Sequence, residues 1–402
     1  MDASPTFRTD HLSRAVCDGG CHVQRSLENR VSKKSDIQQE PEVGFEIVNR
    51  VGIVTLNRPR ALNALSHEMI VRLTQVFEFC RKEDAVAAIV LRGAGEKAFC
   101  AGGDVRAIYD SVPSEAVTES TWLQFFIDEY RLDYAIHHFE KPVIAFMDGI
   151  VMGGGMGLAQ GAALRVVTER TRMAMPETRI GMLPDVGATY FMGKMPLDVE
   201  LYAGLTGTTL SGADAVAYEL ADICVPSAWL RDFMSRLEAL SWGPSESAIE
   251  SLRRAFAAPT AVAADSPLEV HRAQIRQHFG TTGGIQSIVD SLRKDTLTDW
   301  STETLAALTG HSPCMLEVTC RALLRGRGLT LAECFRMELG VVFRTISEGD
   351  FLEGVRALMV DKDKQPRWNP ATLAEVDGGL VQHFLTSPWR GGLHPLADLG
   401  TL

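Results

Sequence analysis

The chain has 402 residues, of which 46% are hydrophobic and 23% are charged. This length allows one large domain or two ordinary ones, each with its own core. Since 51 acidic residues face 40 basic ones, with a formal net charge of −11, and no basic block occurs, nucleic acid is not expected as a partner. No run of roughly 20 apolar residues occurs, so a membrane protein is not expected either.

Residues 1–42 are predicted to be a flexible extension, because they mix acidic and basic residues without a sustained apolar period. They lack the apolar core of a secretory signal, and their acidic residues are atypical of a mitochondrial presequence. Cys17, Cys21 and His22 could contribute to a metal site, but nothing nearby completes a ligand set, so no metal is predicted. The eight cysteines have no repeated spacing and are expected to be free thiols, mostly buried.

Strand and helix signals alternate over the next part of the chain. Residues 45–48 and 51–56 predict a β-hairpin, and Ser66 is a suitable N-cap for a helix with one apolar face. Residues 88–91 predict a buried strand. Further predicted elements are a helix over 122–138 and strands over 143–147, over 164–168 and near Met173. The alternation predicts an α/β core over residues 43–235.

Helical periods dominate the remainder. Strand signals fade after about Met195, and prolines separate the helical stretches. Residues 236–402 are therefore predicted to form a helical C-terminal region.

Two glycine-rich loops stand out, at residues 100–104 (Cys-Ala-Gly-Gly-Asp) and 152–157 (Met-Gly-Gly-Gly-Met-Gly). Each follows a predicted strand and opens a helix, so that backbone N–H groups and the positive end of a helix dipole point at a ligand. Two such loops are able to form an oxyanion hole. The alternative is that the glycines serve only tight turns or helix packing. Neither loop has the glycine spacing of a dinucleotide site.

Two carboxylates, Glu177 and Asp185, lie eight residues apart among apolar residues. Apolar surroundings raise the pKa of a carboxyl group, as acid/base catalysis near neutral pH requires. In the structural alternative, Glu177 caps a helix or pairs with Arg179, and Asp185 starts a turn.

Taken together, these motifs resemble the crotonase (enoyl-CoA hydratase/isomerase) superfamily. The resemblance runs from about residue 45 to residue 384. It includes an N-terminal signature (Asn57-Arg58-Pro59, Asn63-Ala64-Leu65) and a C-terminal one (Asp350-Phe351, residues 353–357 and 361–363, Pro366, Trp368). It implies a spiral of ββα units, a helical C-terminal region that covers the acyl site, and acyl-CoA thioester substrates. No cofactor is implied, because coenzyme A is part of the substrate.

The resemblance also implies roles for particular residues. The oxyanion donors would be the backbone N–H groups of Gly103 and Gly154. Hydratases of the superfamily use two Glu, one in the position of Glu177 and one where this chain has Gly157. Adding water across a double bond needs both groups, so Gly157 disfavours a hydratase.

Hydrolase-like members instead pair the Glu177 position with an acid at the position of Asp185, and both are present. An acid in the position of Glu129 resembles a substrate-site residue of those hydrolases, although a Glu on an amphipathic helix is commonly only solvated. This implies a branch that hydrolyses 3-hydroxyacyl-CoA thioesters, with 3-hydroxyisobutyryl-CoA of valine breakdown as first choice and 3-hydroxypropionyl-CoA not separable from it. Glu177 would activate water or attack the carbonyl itself, and Asp185 would hold the 3-hydroxyl or help to protonate the thiolate.

Other functions are kept as alternatives: an enoyl-CoA hydratase or isomerase, or a crotonase-like binding subunit without activity. No Gly-x-Ser-x-Gly elbow is present, and Cys100 lacks the basic neighbour that a thiolate nucleophile needs.

Arg58 and Arg60 are candidates, by their position in the chain, for binding the phosphates of coenzyme A. A cytoplasmic location is expected, or the mitochondrial matrix in a eukaryote. Relatives are often trimers or hexamers, but the C-terminal region could cover that surface, so a homo-oligomer stays open.

Overall fold

The computed structural model describes residues 41–112, 120–242, 247–256, 266–295, 298–390 and 393–401. The described residues from Pro41 onward belong to one compact unit. The extension predicted for residues 1–42 lies outside the described residues except for its last two, and so do Cys17, Cys21 and His22. The boundary placed near residue 235 stays a prediction.

The described strands form a six-stranded and a four-stranded sheet. The strands are β1 (Val43–Val48), β2 (Val51–Leu56), β3 (Ala88–Gly93), β4 (Ala98–Cys100), β5 (Val143–Met147), β6 (Ile150–Met152), β7 (Leu164–Thr168), β8 (Arg172–Ala174), β9 (Leu210–Ser211) and β10 (Ile223–Val225). The large sheet has the order β1-β2-β3-β5-β7-β10 and the small sheet β4-β6-β8-β9. The β1–β2 hairpin and the β8–β9 pair are antiparallel, whereas the other pairs are parallel.

Helices surround the sheets and make up most of the C-terminal region. The described α-helices are α1 (His67–Lys82), α2 (Val105–Ser111), α3 (Thr121–His137), α4 (Gly154–Gln160), α5 (Ala188–Phe191), α6 (Leu197–Thr206), α7 (Gly212–Ala217), α8 (Ser227–Arg231), α9 (Phe233–Glu238), α10 (Ala248–Ala255), α11 (Arg272–Phe279), α12 (Ile285–Lys294), α13 (Asp299–Gly310), α14 (Pro313–Gly326), α15 (Leu331–Glu348), α16 (Phe351–Val355) and α17 (Gly378–Leu385). Five 3₁₀ turns (Pro59–Ala61, Glu177–Ile180, Met192–Lys194, Pro267–His271, Leu373–Glu375) and a π-helical turn (Arg356–Val360) complete the described helical segments. No described helix is both long and apolar enough to cross a membrane.

Three consecutive parts of the chain repeat one pattern. In each part, one strand joins the large sheet, the next strand joins the small sheet, and a helical segment follows. The first part contains β3, β4 and α2, the second β5, β6 and α4, and the third β7, β8 and the 3₁₀ turn Glu177–Ile180. This is the predicted spiral of ββα units, and the α/β fold class with a helical C-terminal region is confirmed.

The large sheet separates two apolar clusters, because alternate residues of a strand point to opposite faces. On β3, Ile89 and Leu91 belong to the larger cluster, and Ala88 and Val90 to the smaller one. Helix α1 begins as predicted, with the Ser66 hydroxyl accepting the Met69 N–H, and its apolar face is buried against the larger cluster.

Three details differ from the sequence-based expectations. Strand β4 leads into the first glycine-rich loop, where no strand was predicted. Strands β9 and β10 follow the point where strand signals were expected to end, and α4 begins at Gly154, inside the second glycine-rich loop rather than after it. Strands of two or three residues are too short to show a period-two pattern, so only their sheet partners reveal them.

Candidate active site

The small sheet brings the two glycine-rich loops and Glu177 to one edge. Strands β4, β6 and β8 are neighbours and parallel, so their carboxyl ends meet. Gly103, Gly154 and Glu177 each follow one of these strands within three residues. They line a cavity of about 280 Å³ together with Glu129 and Asp185. The structure therefore brings all five predicted site residues into one cavity.

The two glycine-rich loops pack backbone against backbone. Gly102 has a φ of +98°, and a Cβ there would lie 3.1 Å from the carbonyl oxygen of Met152 and 3.5 Å from the backbone nitrogen of Gly154. The Leu65 N–H donates to the Gly102 carbonyl at 2.8 Å, and the Asp104 N–H donates to the Leu65 carbonyl at 2.9 Å. The Gly103 N–H takes part in neither bond.

Gly154 is the first residue of α4, so its N–H has no acceptor within that helix. Gly153 before it has a φ of +49°, and a Cβ there would come within 3.0 Å of Glu177 Oε1. The second loop therefore approaches Glu177 closely enough that a side chain at residue 153 would crowd the carboxylate. Both N–H groups suit the role of oxyanion donors, which stays a prediction for Gly103 and Gly154.

Glu177 is the first residue of a 3₁₀ turn whose N-cap is Pro176. Gly181 ends the turn with a φ of +71°, and its N–H reaches back to the carbonyls of Glu177 and Thr178. The Glu177 side chain is buried, and its Oε2 has no partner among the described residues. Burial, with the Asp185 and Glu129 carboxylates nearby, raises the pKa of Glu177 well above its usual range.

Neither structural alternative for Glu177 is observed. Arg179 donates to the backbone carbonyl of Gly207 at 3.0 Å and forms no ion pair with Glu177. The start of the turn is a proline without a side-chain cap.

Asp185 lies in a tight turn in which the Ala188 N–H donates to the Asp185 carbonyl at 2.9 Å. The turn predicted for this residue is thus real, but the side chain faces the cavity. Val186 has a φ of +54°, an unfavourable conformation for a β-branched residue and one that is often found at functional sites. Burial raises the pKa of Asp185 to about 7, and the hydrogen bond from the Tyr130 hydroxyl opposes that rise.

Glu129 is 2% exposed and lies beside the second loop, so the expectation of a merely solvated helix residue does not hold. A Cβ at Gly154 would collide with Glu129 Oε1. That oxygen has no partner within the described part of the chain. Burial is the main cause of a pKa of Glu129 well above its usual range, and Asp185 adds to it.

Three buried groups received no role from the sequence: Tyr130, Asp133 and Glu338. The Tyr130 hydroxyl donates to Asp185 Oδ2 at 2.6 Å. Asp133 is fully buried one helical turn after Glu129 on α3, and neither of its carboxyl oxygens has a partner among the described residues. Glu338 accepts the N–H groups of Gly187 and Thr189 and the Thr189 hydroxyl at 2.6–2.9 Å, which fixes the turn after Asp185.

The positions of the buried acids on their helices could have revealed them from the sequence. Glu129 and Asp133 occupy positions of the apolar stripe of α3, and Glu338 does so on α15. An acid in an apolar stripe is buried rather than solvated. Tyr130 offers no comparable signal, because an aromatic residue is expected on a buried helix face.

Gly157, where hydratases would carry their second Glu, has no room for a side chain. A Cβ there would lie 2.7 Å from the Val186 Cβ and would collide with the carboxyl group of Asp133.

No serine, histidine or cysteine is among the described residues that line the cavity. Cys100 is buried, and burial raises the pKa of its thiol to about 12, which argues against a nucleophilic role.

The described cysteines, residues 80, 100, 224, 314, 320 and 334, are buried free thiols, as expected.

Arg58 forms ion pairs with Glu42 and Asp104 at 3.1 and 3.0 Å and also donates to the Ala64 carbonyl. Its guanidinium is thus bound within the protein, and a phosphate contact by Arg58 or Arg60 stays a prediction.

Comparison with known proteins identifies the family. Residues 51–385 match the family model described as enoyl-CoA hydratase/isomerase. The chain belongs to this family, the crotonases. Its curated relatives include the mitochondrial 3-hydroxyisobutyryl-CoA hydrolases of Danio rerio and Homo sapiens, which are each 36% identical to it. The matches cover 91% and 88% of this chain and 94% and 91% of the relatives.

Two solved structures share the fold over most of the chain. A carnitinyl-CoA dehydratase from Mycobacterium thermoresistibile is 36% identical, with a TM-score of 0.77, and the match covers 86% of this chain and 97% of the other. An enoyl-CoA hydratase from Rhodobacter sphaeroides is 32% identical, with a TM-score of 0.78, over 87% of this chain and 98% of the other. Their descriptions name dehydration and hydration, whereas the names of the curated relatives give hydrolysis. The residues of the site therefore decide which of these reactions is proposed for this chain.

Proposed function

We propose that the protein hydrolyses the thioester of 3-hydroxyisobutyryl-CoA, or of a similar 3-hydroxyacyl-CoA, to free coenzyme A and the hydroxy acid. The observation that carries this proposal is the pair of buried carboxyls, Glu177 and Asp185, in one cavity with both glycine-rich loops. The curated relatives bear the name of this activity. The activity belongs to the breakdown of valine.

The loops would act on the thioester carbonyl. As a nucleophile adds, the carbonyl oxygen gains negative charge, which the N–H groups of Gly103 and Gly154 would stabilise. Glu177 supplies the nucleophilic step in one of two ways. As a base it takes a proton from a water that attacks the carbonyl carbon, and as a nucleophile it forms a mixed anhydride that water then hydrolyses. In both routes the C–S bond breaks, and the thiolate of coenzyme A leaves and takes up a proton.

Asp185 would select the acyl group. Its carboxylate, held by Tyr130, accepts a hydrogen bond from the 3-hydroxyl of the substrate, and an acyl chain without that hydroxyl leaves a buried polar group unpaired. In its protonated form Asp185 is also able to supply the proton of the departing thiol. Glu129 lies beside Gly154 and would contact the substrate from α3.

Hydration of an enoyl-CoA is the second candidate, because two similar solved structures are described as a hydratase and a dehydratase. The absence of a carboxylate at Gly157, and of space for one, favours hydrolysis. The intact pair of Glu177 and Asp185 likewise argues against a binding subunit without activity.

We further propose that the reaction needs no cofactor beyond the coenzyme A of the substrate. The protein would act in the cytoplasm, or in the mitochondrial matrix if it is eukaryotic; the names of the relatives from Danio rerio and Homo sapiens call those proteins mitochondrial. Assembly into a homo-oligomer stays an open proposal.

The test is release of free coenzyme A from 3-hydroxyisobutyryl-CoA, 3-hydroxypropionyl-CoA, isobutyryl-CoA and acetyl-CoA, with loss of crotonyl-CoA absorbance measured in parallel. Hydroxylated substrates should react fastest. Glu177→Gln should lower kcat by about 10²–10⁴-fold, and Asp185→Asn should reduce the preference for the 3-hydroxyl. The exposed Glu303→Gln serves as the control. Near wild-type hydrolysis by a folded Glu177→Gln variant, or hydration without thiol release, would refute the proposal.

A further inference from the structure

The C-terminal signature forms a compact structure beside the cavity, and its residues have no role in the hydrolysis proposed above. Helix α16 runs directly into the π-helical turn Arg356–Val360. Residues 350–363 are called the signature turn below. Asp350 anchors its start, since its carboxylate accepts the Ser312 hydroxyl at 2.6 Å and the Asn369 N–H at 2.9 Å.

Arg356 holds the turn together. Its guanidinium forms two hydrogen bonds with Glu353, at 2.7 and 2.8 Å, and one each with Asp361 and Asp363, at 2.6 and 2.7 Å. A further bond reaches the carbonyl of Gln365 at 3.2 Å. An arginine with three carboxylate partners fixes both ends of the π-helical turn, and π-helical turns are frequent at functional sites.

The signature turn packs directly on the segment that carries Glu177. A Cβ at Gly354 would collide with the backbone of Ile180, the last residue of that 3₁₀ turn. A Cβ at Gly181 would lie 2.6 Å from the Asp350 carbonyl oxygen. These backbone contacts leave no space between the signature turn and the Glu177 segment, so the position of one fixes the position of the other.

Two side chains of the π-helical turn extend into the cavity wall. Leu358 and Met359 line the cavity, yet they remain 40% and 38% exposed. Val105 and Ile108 of α2 also line it, and α2 contacts α16. Large apolar side chains that are left partly exposed beside a cavity indicate contact with an apolar part of a ligand.

We infer that Leu358 and Met359 form the wall of the substrate entrance that contacts the pantetheine arm of the acyl-CoA, and that Arg356 is the positioning residue that holds them there. The inference rests on the acyl-CoA substrate of the proposed function. Pantetheine is an uncharged chain with methyl and methylene groups, and it leads from the thioester sulfur out of the site. It therefore matches an apolar wall that begins beside the oxyanion loops and ends in solvent.

The experiment compares two thioesters of the same acyl group, one of coenzyme A and one of N-acetylcysteamine, which lacks most of the arm. Leu358→Ser and Met359→Ser should each raise KM for the coenzyme A thioester by roughly 3–30-fold, with kcat nearly unchanged. The same variants should lower kcat/KM for the short thioester much less, because that substrate lacks most of the arm. Val270→Ser is the control, because Val270 is 80% exposed and does not line this cavity.

Arg356→Gln should lower kcat/KM more for the coenzyme A thioester than for the short thioester, and circular dichroism should show a folded protein. Calorimetry with free coenzyme A supplies a readout that needs no hydrolysis, so it still tests the inference if the proposed reaction is wrong. The Leu358→Ser variant should bind coenzyme A more weakly.

Three results would overturn the inference. Equal losses with both thioesters would show that the turn acts only by supporting the Glu177 segment. Unchanged binding of coenzyme A by Leu358→Ser would place the arm elsewhere. A change in oligomeric state with Leu358→Ser, without a change in coenzyme A affinity, would show that a second copy of the chain covers these side chains.

Discussion

Tyr130 and Asp185, 55 residues apart in the chain, are joined by a hydrogen bond of 2.6 Å from the phenolic hydroxyl to Oδ2, which ties the cavity-lining carboxyl group to helix α3. Tyr130 is fully buried on α3, and Asp185 lies in a turn that Glu338 supports from α15. The bond orients the Asp185 carboxyl group and stabilises its ionised form against the cost of burial. Asp185 is thereby able to titrate near neutral pH, where the reaction would use it.

Replacing Tyr130 with Phe should shift the pH dependence of the reaction. Loss of the hydrogen bond raises the pKa of Asp185 further above about 7. If ionised Asp185 accepts the substrate hydroxyl, the acid limb of kcat/KM moves to higher pH, and kcat/KM at pH 7 falls roughly 5–30-fold. Tyr134→Phe, on the same helix, should leave the profile unchanged. An acid limb that stays in place or moves to lower pH would contradict the assignment.

Replacing Asp133 with Asn should stabilise the protein, most strongly at alkaline pH. Burial, with Glu129 nearby, raises the pKa of Asp133 well above its usual range. Above the ordinary carboxyl pKa of about 4, the unfolded chain loses this proton while the folded protein keeps it, so stability decreases as the pH rises toward the folded-state pKa. Asn removes this penalty.

Thermal unfolding at pH 5 and pH 8 measures the effect. The Tm of Asp133→Asn should rise by about 2–4 °C at pH 8 and by less at pH 5. The exposed Asp84→Asn should shift neither value. A Tm decrease at pH 8 would mean that the ionised Asp133 has a favourable role.

Installing even a methyl group at Gly157 should disrupt the site. Its Cβ would meet Val186 at 2.7 Å and collide with Asp133, and overpacking of this kind costs about 1–3 kcal/mol. Urea unfolding should show this loss for Gly157→Ala. Gly310→Ala, where no atom lies within 4 Å of the new Cβ, should be neutral or slightly stabilising.

The same position tests the choice between hydrolysis and hydration. Gly157→Glu should not acquire enoyl-CoA hydratase activity, because the space for the second carboxylate is filled by Asp133. Strong hydration of crotonyl-CoA by this variant would show that the pocket adapts and that only the missing carboxylate suppresses that reaction.

Glu338→Gln should loosen the turn that presents Asp185. The carboxylate of Glu338 accepts three hydrogen bonds, from Gly187 and Thr189. Burial raises the pKa of Glu338 to about 8, so the group does not carry a full charge near neutral pH. A glutamine amide has only one acceptor oxygen, so at least one of these buried donors is left without a partner, at a cost of about 1–3 kcal/mol.

Both unfolding and kinetics report this change. The Tm should fall, and the preference for 3-hydroxyacyl over plain acyl substrates should weaken. Glu348→Gln, an exposed residue on the same helix, should change neither. An unchanged substrate preference together with a lowered Tm would limit Glu338 to a structural role.

The site motifs could be predicted because each depends on local chemistry. A glycine-rich turn after a strand allows a ligand or another backbone segment to approach the chain closely. The order of strands and helices restricts the fold to an α/β type. The two loops, Glu177 and Asp185 were therefore singled out from short segments of sequence, whereas the choice of Gly103 and Gly154 as donors came from the family resemblance. Glu129 came from the family resemblance, although its place in the apolar stripe of α3 also indicates burial.

By itself, the sequence determined an α/β core with a helical C-terminal region, the two loops and the pair of carboxylates that follow them, whereas the ββα spiral was implied by the family resemblance. Only the tertiary structure decided what surrounds those groups: the hydrogen bond from Tyr130, the unpartnered Asp133, the support from Glu338 and the wall formed by Leu358 and Met359. These contacts join segments that are distant in the chain. Burial and pKa depend on all neighbours in space, whereas a local pattern reports only the neighbours along the chain.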